Sequence, residues 1–168
     1  MVIYIEACES GSMFPSLTSD QKVYAVTAAN GTQSSFAAYC SPNDAINGVE
    51  IGSCLADAFS KNWMEDSDSA NPDIETLDAQ YKNTVTKTHY SQVMKFGNFD
   101  FVTEPIGFFE GAKTTKSPSF FDTSYEFIRS STPVKFLNEL TDSKEGYVDS
   151  RDVRVKYLFN RAMKRGDA

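Results

Sequence analysis

Residues 1–14 read MVIYIEACESGSMF, and this stretch decides the fold. Residues 2–5 form a short run of β-branched and aromatic side chains, which is typical of a buried strand. Cys8 follows the run, and the turn-forming sequence Glu-Ser-Gly comes next. Open α/β sheets place their chemistry at the carboxyl ends of their strands. Cys8 is therefore a candidate nucleophile, although a free cysteine is often only a small buried apolar residue.

The next elements predict a parallel sheet around this strand. Residues 12–17 are predicted to form a short helix, and residues 22–27 (KVYAVT) alternate like a strand. A strand, a helix and a second strand in this order favour a parallel pair with a right-handed connection. The second strand would then end at the same edge of the sheet as Cys8. Glu6 precedes Cys8 by two residues, so both side chains would point to one side of the first strand.

Composition limits the partners that the chain can have. The chain has 168 residues, which is enough for one domain with a hydrophobic core, and a net charge of -7 with a pI near 4.7. No basic patch is available to bind nucleic acid, and no apolar run reaches the length of a membrane span. The acidic residues 65–68 lack the glycine and the spacing of an EF-hand loop. We therefore expect no metal site, no cofactor, no nucleic acid and no membrane partner.

Four motifs carry a resemblance to a known family. They are EACESGSM at residues 6–13, SSF at residues 34–36, LADAFSKNWMEDSD at residues 55–68 and SQVMKFGN at residues 91–98. These motifs resemble those of the legumains, the asparaginyl endopeptidases (vacuolar processing enzymes) of peptidase family C13 in the caspase-like clan. The resemblance implies an α/β fold, namely a caspase-like (caspase-hemoglobinase) three-layer sandwich with a mostly parallel sheet. This chain would be its C-terminal half, followed by a linker and a helix.

The resemblance also assigns roles to individual residues. Cys8 would be the nucleophile of a cysteine endopeptidase that cleaves after asparagine, or after aspartate at low pH. Glu6, Ser34, Ser35 and Asp57 would form the S1 pocket, which holds the side chain of the residue before the cleaved bond. For Asp57 the alternative is an acid in the first turn of a helix, where it would serve as a cap.

Two further cysteines flank a loop rich in proline, asparagine and glycine. They are Cys40 and Cys54, and plant legumains have cysteines at comparable places. The resemblance therefore implies a disulfide bond, which would contribute about 3 kcal/mol for a loop of this size. Two free buried thiols are the alternative. With the bridge formed, Cys8 is the unpaired thiol.

A catalytic histidine is not expected in this chain. His89 is the only histidine, and it would lie at the end of a helix predicted over residues 74–89. In caspases the catalytic histidine precedes the cysteine by about 50 residues. We therefore reject His89 as the base and expect the chain to be a fragment that begins in mid-domain, after the signal peptide. Such a fragment would lack the histidine and the S1 arginine and would be inactive by itself.

The remaining sequence predicts three regions. Residues 1–102 would be the C-terminal part of the peptidase domain, with a helix from about residue 54 and a strand over residues 93–96. Residues 103–148 would be a linker or activation region, because glycine, proline, lysine and threonine dominate its start. Residues 149–168 would begin a helical pro-region that inhibits the enzyme. The expected partners are proteins or peptides with asparagine before the cleaved bond, in the lumen of a lysosome or vacuole.

Two alternatives remain open at this point. The first is an enzyme similar to the transamidase of GPI-anchor attachment, in which the thiol passes a protein to an amine. The motifs at residues 34–36 and 55–57 argue against it. The second is a pseudo-peptidase or binding module without catalytic activity.

Overall fold

The computed structural model of the protein describes residues 1–111 and 146–166, and the fold of this part is mixed α/β. No helix within these two ranges is long and apolar enough to span a bilayer. The strands are β1 (Val2–Ile5), β2 (Tyr24–Thr27), β3 (Phe36–Ala38), β4 (Ala45–Ile46), β5 (Val49–Glu50), β6 (Ala56–Asp57), β7 (Met94–Gly97) and β8 (Val148–Asp149). The α-helices are α1 (Ala58–Ser69), α2 (Leu77–Lys87), α3 (Gly107–Glu110) and α4 (Val153–Arg165), and 3-10 helices span Ser10–Met13 and Ser19–Gln21.

The first sheet has three strands in the order β1–β2–β7. β1 and β2 are parallel, and Ile5 lies opposite Thr27 at their carboxyl ends, so the predicted parallel pair is confirmed. β7 runs antiparallel to β2. The predicted mostly parallel sheet is therefore not confirmed by these three strands.

The hydrophobic core lies around β2. All four residues of this strand are buried, which means that both faces of the sheet are covered at its centre. Phe59 of α1 and Leu77 of α2 complete the core with Val93 and Ile106. The ring of Tyr4 on β1 stacks on the ring of Trp63 on α1, with 4.4 Å between the ring centroids. These contacts fix α1 beside β1, close to Cys8.

Polar contacts join α1 to α2. The Asn62 side chain donates a hydrogen bond to Thr88 Oγ1 at 3.0 Å, and both residues are buried. Asp66 pairs with Lys87 at 3.0 Å. Since a buried polar group without a partner is costly, these bonds stabilise one arrangement of the two helices.

A second sheet, in the order β6–β3–β8, brings the end of the chain back to its beginning. Both pairings are antiparallel: Ala37 lies opposite Asp57 on one side and opposite Val148 on the other. β3 follows directly after the Ser-Ser pair. Residues 148–150 therefore pass beside the loop that bears the two serines.

The structure moves the predicted start of the first long helix. α1 begins at Ala58 rather than near Cys54, because Ala56 and Asp57 pair with β3 before the helix starts. Leu55 lies outside the helix and is 38% exposed, although its spacing suggested a place on the inner face. The short helix predicted over residues 12–17 is a 3-10 helix at Ser10–Met13, which ends before Pro15.

The start of the predicted linker is folded. α3 lies within it, and Ile106 is fully buried in the core. The Ile106 N–H donates a hydrogen bond to the carbonyl of Glu75 at 2.8 Å. The two residues are far apart in the sequence, so a local sequence pattern does not predict this bond. The rest of the linker, residues 112–145, lies outside the described residues, and the domain boundary at residue 102 stays a prediction.

Candidate active site

Cys8 lies just beyond β1, in a turn that is held against the loop after β2. The Glu9 N–H donates to the carbonyl of Gln33 at 2.7 Å. The backbone N–H of Ser35 donates to the Cys8 sulfur at 3.3 Å, and Ser35 Oγ lies 3.7 Å from the same sulfur. Cys8 is a free thiol of intermediate burial. The sulfur therefore lies where the carboxyl ends of β1 and β2 meet, as the sequence predicts.

Two small residues after Cys8 make this turn possible. Ser10 is fully buried; its Oγ accepts the N–H of Ala29 at 3.0 Å and donates to the carbonyl of Ala29 at 3.3 Å. Gly11 has no room for a side chain, because a Cβ there would lie 2.9 Å from the backbone of Asn30. Sequence analysis placed both residues in a turn but predicted neither of these contacts.

Glu6 is a largely buried carboxyl beside Cys8. Its Oε2 accepts the N–H of Ser60 in the first turn of α1 at 2.7 Å. Its Oε1 is buried, and no hydrogen-bond partner for it exists within residues 1–111 and 146–166. Burial raises the pKa of Glu6 from 4.5 to about 7; hydrogen bonding with Ser60 and Ser35 opposes this rise, and the charge of Asp57 adds to it. In mild acid Glu6 is therefore mostly protonated, and its carboxyl group can donate as well as accept.

Asp57 ends β6 and occupies the N-cap position of α1. Its side chain makes no capping hydrogen bond, so the structure does not support the helix-cap alternative. Its Oδ1 instead accepts a hydrogen bond from Ser150 Oγ at 3.4 Å. Burial raises the pKa of Asp57, and the bond from Ser150 opposes the rise.

The two serines lie in the loop between β2 and β3. Ser35 is buried, and its Oγ lies between the Cys8 sulfur and Ser150 Oγ, which is 3.2 Å away. Ser34 is less buried and accepts a hydrogen bond from Arg151 Nη1 at 3.3 Å. The structure thus brings Glu6, Ser35 and Asp57 together around Cys8 and places Ser34 at the rim.

Residues 148–151 cover this cluster, which sequence analysis did not predict. The Ser150 N–H donates to the carbonyl of Ser35 at 3.1 Å, which continues the pairing of β8 with β3. Arg151 pairs with Glu9, the residue after Cys8, at 3.1 Å. The segment therefore reaches the candidate site as strand β8 and turns at Ser150, whose hydroxyl lies between Ser35 and Asp57.

Comparison with known proteins identifies the family. The sequence matches the model of the Peptidase C13 family over residues 1–112, about two thirds of the chain. The chain belongs to the peptidase C13 family. The matched residues include Cys8 and every residue predicted for the S1 pocket.

Proteins similar to this C13 chain include a vacuolar-processing enzyme, a legumain and a hemoglobinase. It is 36% identical over 172 residues to the vacuolar-processing enzyme delta-isozyme of Arabidopsis thaliana, an alignment that covers 98% of this chain and 34% of that protein. It is 46% identical over 113 residues to legumain of Mus musculus, covering 67% of this chain and 24% of that protein. It is 39% identical over 118 residues to hemoglobinase of Schistosoma japonicum, covering 70% of this chain and 26% of that protein. The C13 chain thus spans at most about a third of the length of these relatives.

The disulfide predicted for this C13 chain is present. Cys40 and Cys54 are bonded, and their bridge closes the loop that contains β4 and β5. The bridge joins the segment after β3 to the segment before β6; Ser35 directly precedes β3, and Asp57 ends β6. It therefore holds together two parts of the chain that contribute to the candidate site.

The position of His89 in this C13 chain does not suit a catalytic base for Cys8. It follows Thr88, the last residue of the α2 cap, and its side chain is exposed. No hydrogen bond joins it to Cys8 in the described part of the chain. The sequence-based rejection of His89 agrees with this position.

Proposed function

We propose that the whole protein is a cysteine endopeptidase that cleaves after asparagine, and after aspartate at low pH, with Cys8 as the nucleophile. The observation that supports this most is the position of residues 148–150, strand β8 and the serine that follows it. In this segment β8 pairs with the edge of β3, and the hydroxyl of Ser150 contacts Ser35 and Asp57, with Ser35 beside the Cys8 sulfur. Addition of a strand to a sheet edge is a common way to bind a peptide. A substrate in place of this segment would put one side chain into the same pocket.

The pocket suits the amide of an asparagine. The side-chain NH₂ of asparagine donates two hydrogen bonds and its carbonyl accepts. Asp57 and Ser35 can accept from the NH₂ group. Glu6, whose buried Oε1 has no hydrogen-bond partner among the described residues, donates to the carbonyl when it is protonated in mild acid. A protonated aspartate has the same shape and a donor, which accounts for its cleavage at low pH only.

The chemistry is acyl transfer through the thiol. The Cys8 thiolate attacks the carbonyl carbon after asparagine, the amine leaves with a proton, and water hydrolyses the thioester. Backbone N–H groups at the turn, including that of Cys8, would stabilise the oxyanion. A histidine from the rest of the protein would hold the thiolate and move the protons. Because this 168-residue chain contains only His89, we expect it to be inactive by itself.

We also propose that the segment around Ser150 inhibits the enzyme as part of its own pro-region. Ser150 would fill the position of the substrate side chain, and Arg151 contacts both Glu9, the residue after Cys8, and Ser34. A peptide that binds there has to displace both. An acidic lumen of a lysosome or vacuole is the proposed site of action, since acid protonates Glu6 and completes the pocket.

The described residues fit the C-terminal half of a caspase-like three-layer sandwich. β2 is buried on both faces, and α1 and α2 cover one of them. Further strands beyond β1, supplied by the rest of the protein, would complete a mostly parallel sheet. The half-buried strand β1 is an edge of the described sheet, and a further strand could pair with it there.

The proposal is tested with the full-length protein after removal of its pro-region. A peptide with one asparagine should be cleaved after that residue in mild acid, and Cys8→Ser should abolish cleavage. Ser16→Ala is the matched control, because Ser16 is exposed and lies on the same stretch of chain. Cleavage that persists in Cys8→Ser, or that ignores the asparagine, would reject the assignment. Circular dichroism establishes that both variants are folded.

A further inference from the structure

A short hairpin inside the disulfide loop presents an asparagine at its tip. Asn47 and Gly48 connect β4 to β5 with φ angles of 52° and 77°, values that suit an Asn-Gly turn. Asn47 is exposed. No atom of residues 1–111 or 146–166 lies within 4 Å of the place where a side-chain carbon on Gly48 would be. The peptide bond between the two residues is therefore open to a second protein.

This hairpin opens easily. Each of its strands has two residues, and its apolar side chains are on the surface, with Ile46 51% and Val49 63% exposed. Hairpins without a buried face are at best marginally stable in water. Local opening to an extended chain thus costs little, and an extended chain is the form in which a sheet edge binds a peptide.

The other asparagines in the described part of the chain are poorer sites for an endopeptidase. Each is buried, lies in a helix, precedes a proline, or is tied to neighbouring groups. They are Asn62 and Asn98 (buried), Asn83 and Asn160 (in α2 and α4), Asn71 (before Pro72), Asn30 (its amide donates to Gln92) and Asn43 (half-buried, its N–H on the carbonyl of Cys40).

We propose that the Asn47–Gly48 bond is cleaved in trans by an active copy of this protein, and that the Cys40–Cys54 bridge keeps the two pieces together. The inference rests on the proposed function. The thiolate of the active copy attacks the carbonyl carbon of Asn47, and the C–N bond to Gly48 breaks. The new amine of Gly48 takes a proton. Water then hydrolyses the thioester, which leaves a carboxylate on Asn47 and restores the thiol.

The position of the bridge gives this cut a defined product. The pieces are residues 1–47, which carry Cys8, and residues 48–168, which carry Asp57. The disulfide links the two pieces, because Cys40 belongs to the first and Cys54 to the second. The pairing of Ala37 with Asp57 also joins them. The two halves of the candidate site therefore stay joined after cleavage.

The test uses the 168-residue chain with Cys8→Ser as the substrate and the active full-length protein as the enzyme. On a gel with reductant we expect two pieces, which mass spectrometry identifies as residues 1–47 and 48–168. Without reductant we expect one band, with a mass increased by one water molecule. Asn47→Gln should block the cut. Asn71→Gln, a control in another exposed loop, should leave it unchanged.

A reference peptide with one asparagine, incubated in parallel, separates the two possible failures. If the peptide is cleaved while the chain stays intact, or if Asn47→Gln is cut like the parent, the inference is wrong and the proposed function stands. If neither the peptide nor the chain is cleaved, both fall. Hydrogen exchange gives an independent check, because strong protection of the Val49 amide would show that the hairpin does not open.

Discussion

Replacing Glu6 by glutamine tests how a buried carboxyl makes the stability of this protein depend on pH. Burial raises the pKa of Glu6 from 4.5 to about 7 in the folded chain. Since one pKa unit equals about 1.4 kcal/mol, the difference corresponds to about 3 kcal/mol of folding free energy. The folded state binds the proton more tightly than the unfolded state. This contribution is therefore fully present below about pH 4.5, is lost as the pH rises towards 7, and is absent above that.

Urea denaturation at about pH 4 and about pH 8 measures the effect. The parent chain should lose about 3 kcal/mol more between these two values than Glu6→Gln, because the amide does not titrate. The hydrogen bond that Ser60 donates to Glu6 is available to the amide oxygen as well. Glu104→Gln is the control, since Glu104 is exposed. If Glu6→Gln shows the same pH dependence as the parent, burial does not control this carboxyl and the reasoning about the pocket fails.

Two other outcomes follow from the contacts near Cys8. Ser10→Ala should lower the free energy of unfolding by about 2 kcal/mol, because the buried N–H of Ala29 loses its acceptor; Ser16→Ala should change it by less than about 0.5 kcal/mol in the same urea titration. Tyr147→Ala should speed alkylation of Cys8 by iodoacetamide about fivefold, since an aromatic contact of about 1 kcal/mol holds the covering segment in place. Its ring lies 4.7 Å from that of Tyr90. An unchanged alkylation rate would contradict the idea that this segment limits access to the sulfur.

The pair of strands β1 and β2 is an example of what local sequence patterns can predict. The apolar run at residues 2–5 and the alternating run at residues 22–27 predict two parallel strands. Both strands are present, and they pair from Val2 opposite Tyr24 to Ile5 opposite Thr27. The placement of Cys8 at their common edge follows, because parallel strands end on the same side. The disulfide between Cys40 and Cys54 was implied by resemblance and is confirmed.

The elements that sequence analysis missed depend on distant partners. β6 is two residues long and exists because β3 pairs with it, so the periodic pattern around it suggested a longer helix. α3 has only four residues and is held by Ile106, which packs into the core and bonds to Glu75. Neither element has enough residues for a periodic signal.

Sequence by itself determined the family and the parallel pair of strands. It also determined the free thiol at the edge of that pair and the identity of the polar residues around the thiol. Strand patterns and the spacing of motifs are local properties of the chain, so they can be recognised without the tertiary structure. Only the tertiary structure decided that Asp57 faces Ser150 rather than capping α1, that Glu6 is buried enough to hold a proton near pH 7, and that residues 148–151 lie across the site. Burial and strand pairing join residues that are far apart in the sequence, and the polar environment of a side chain is set by those neighbours.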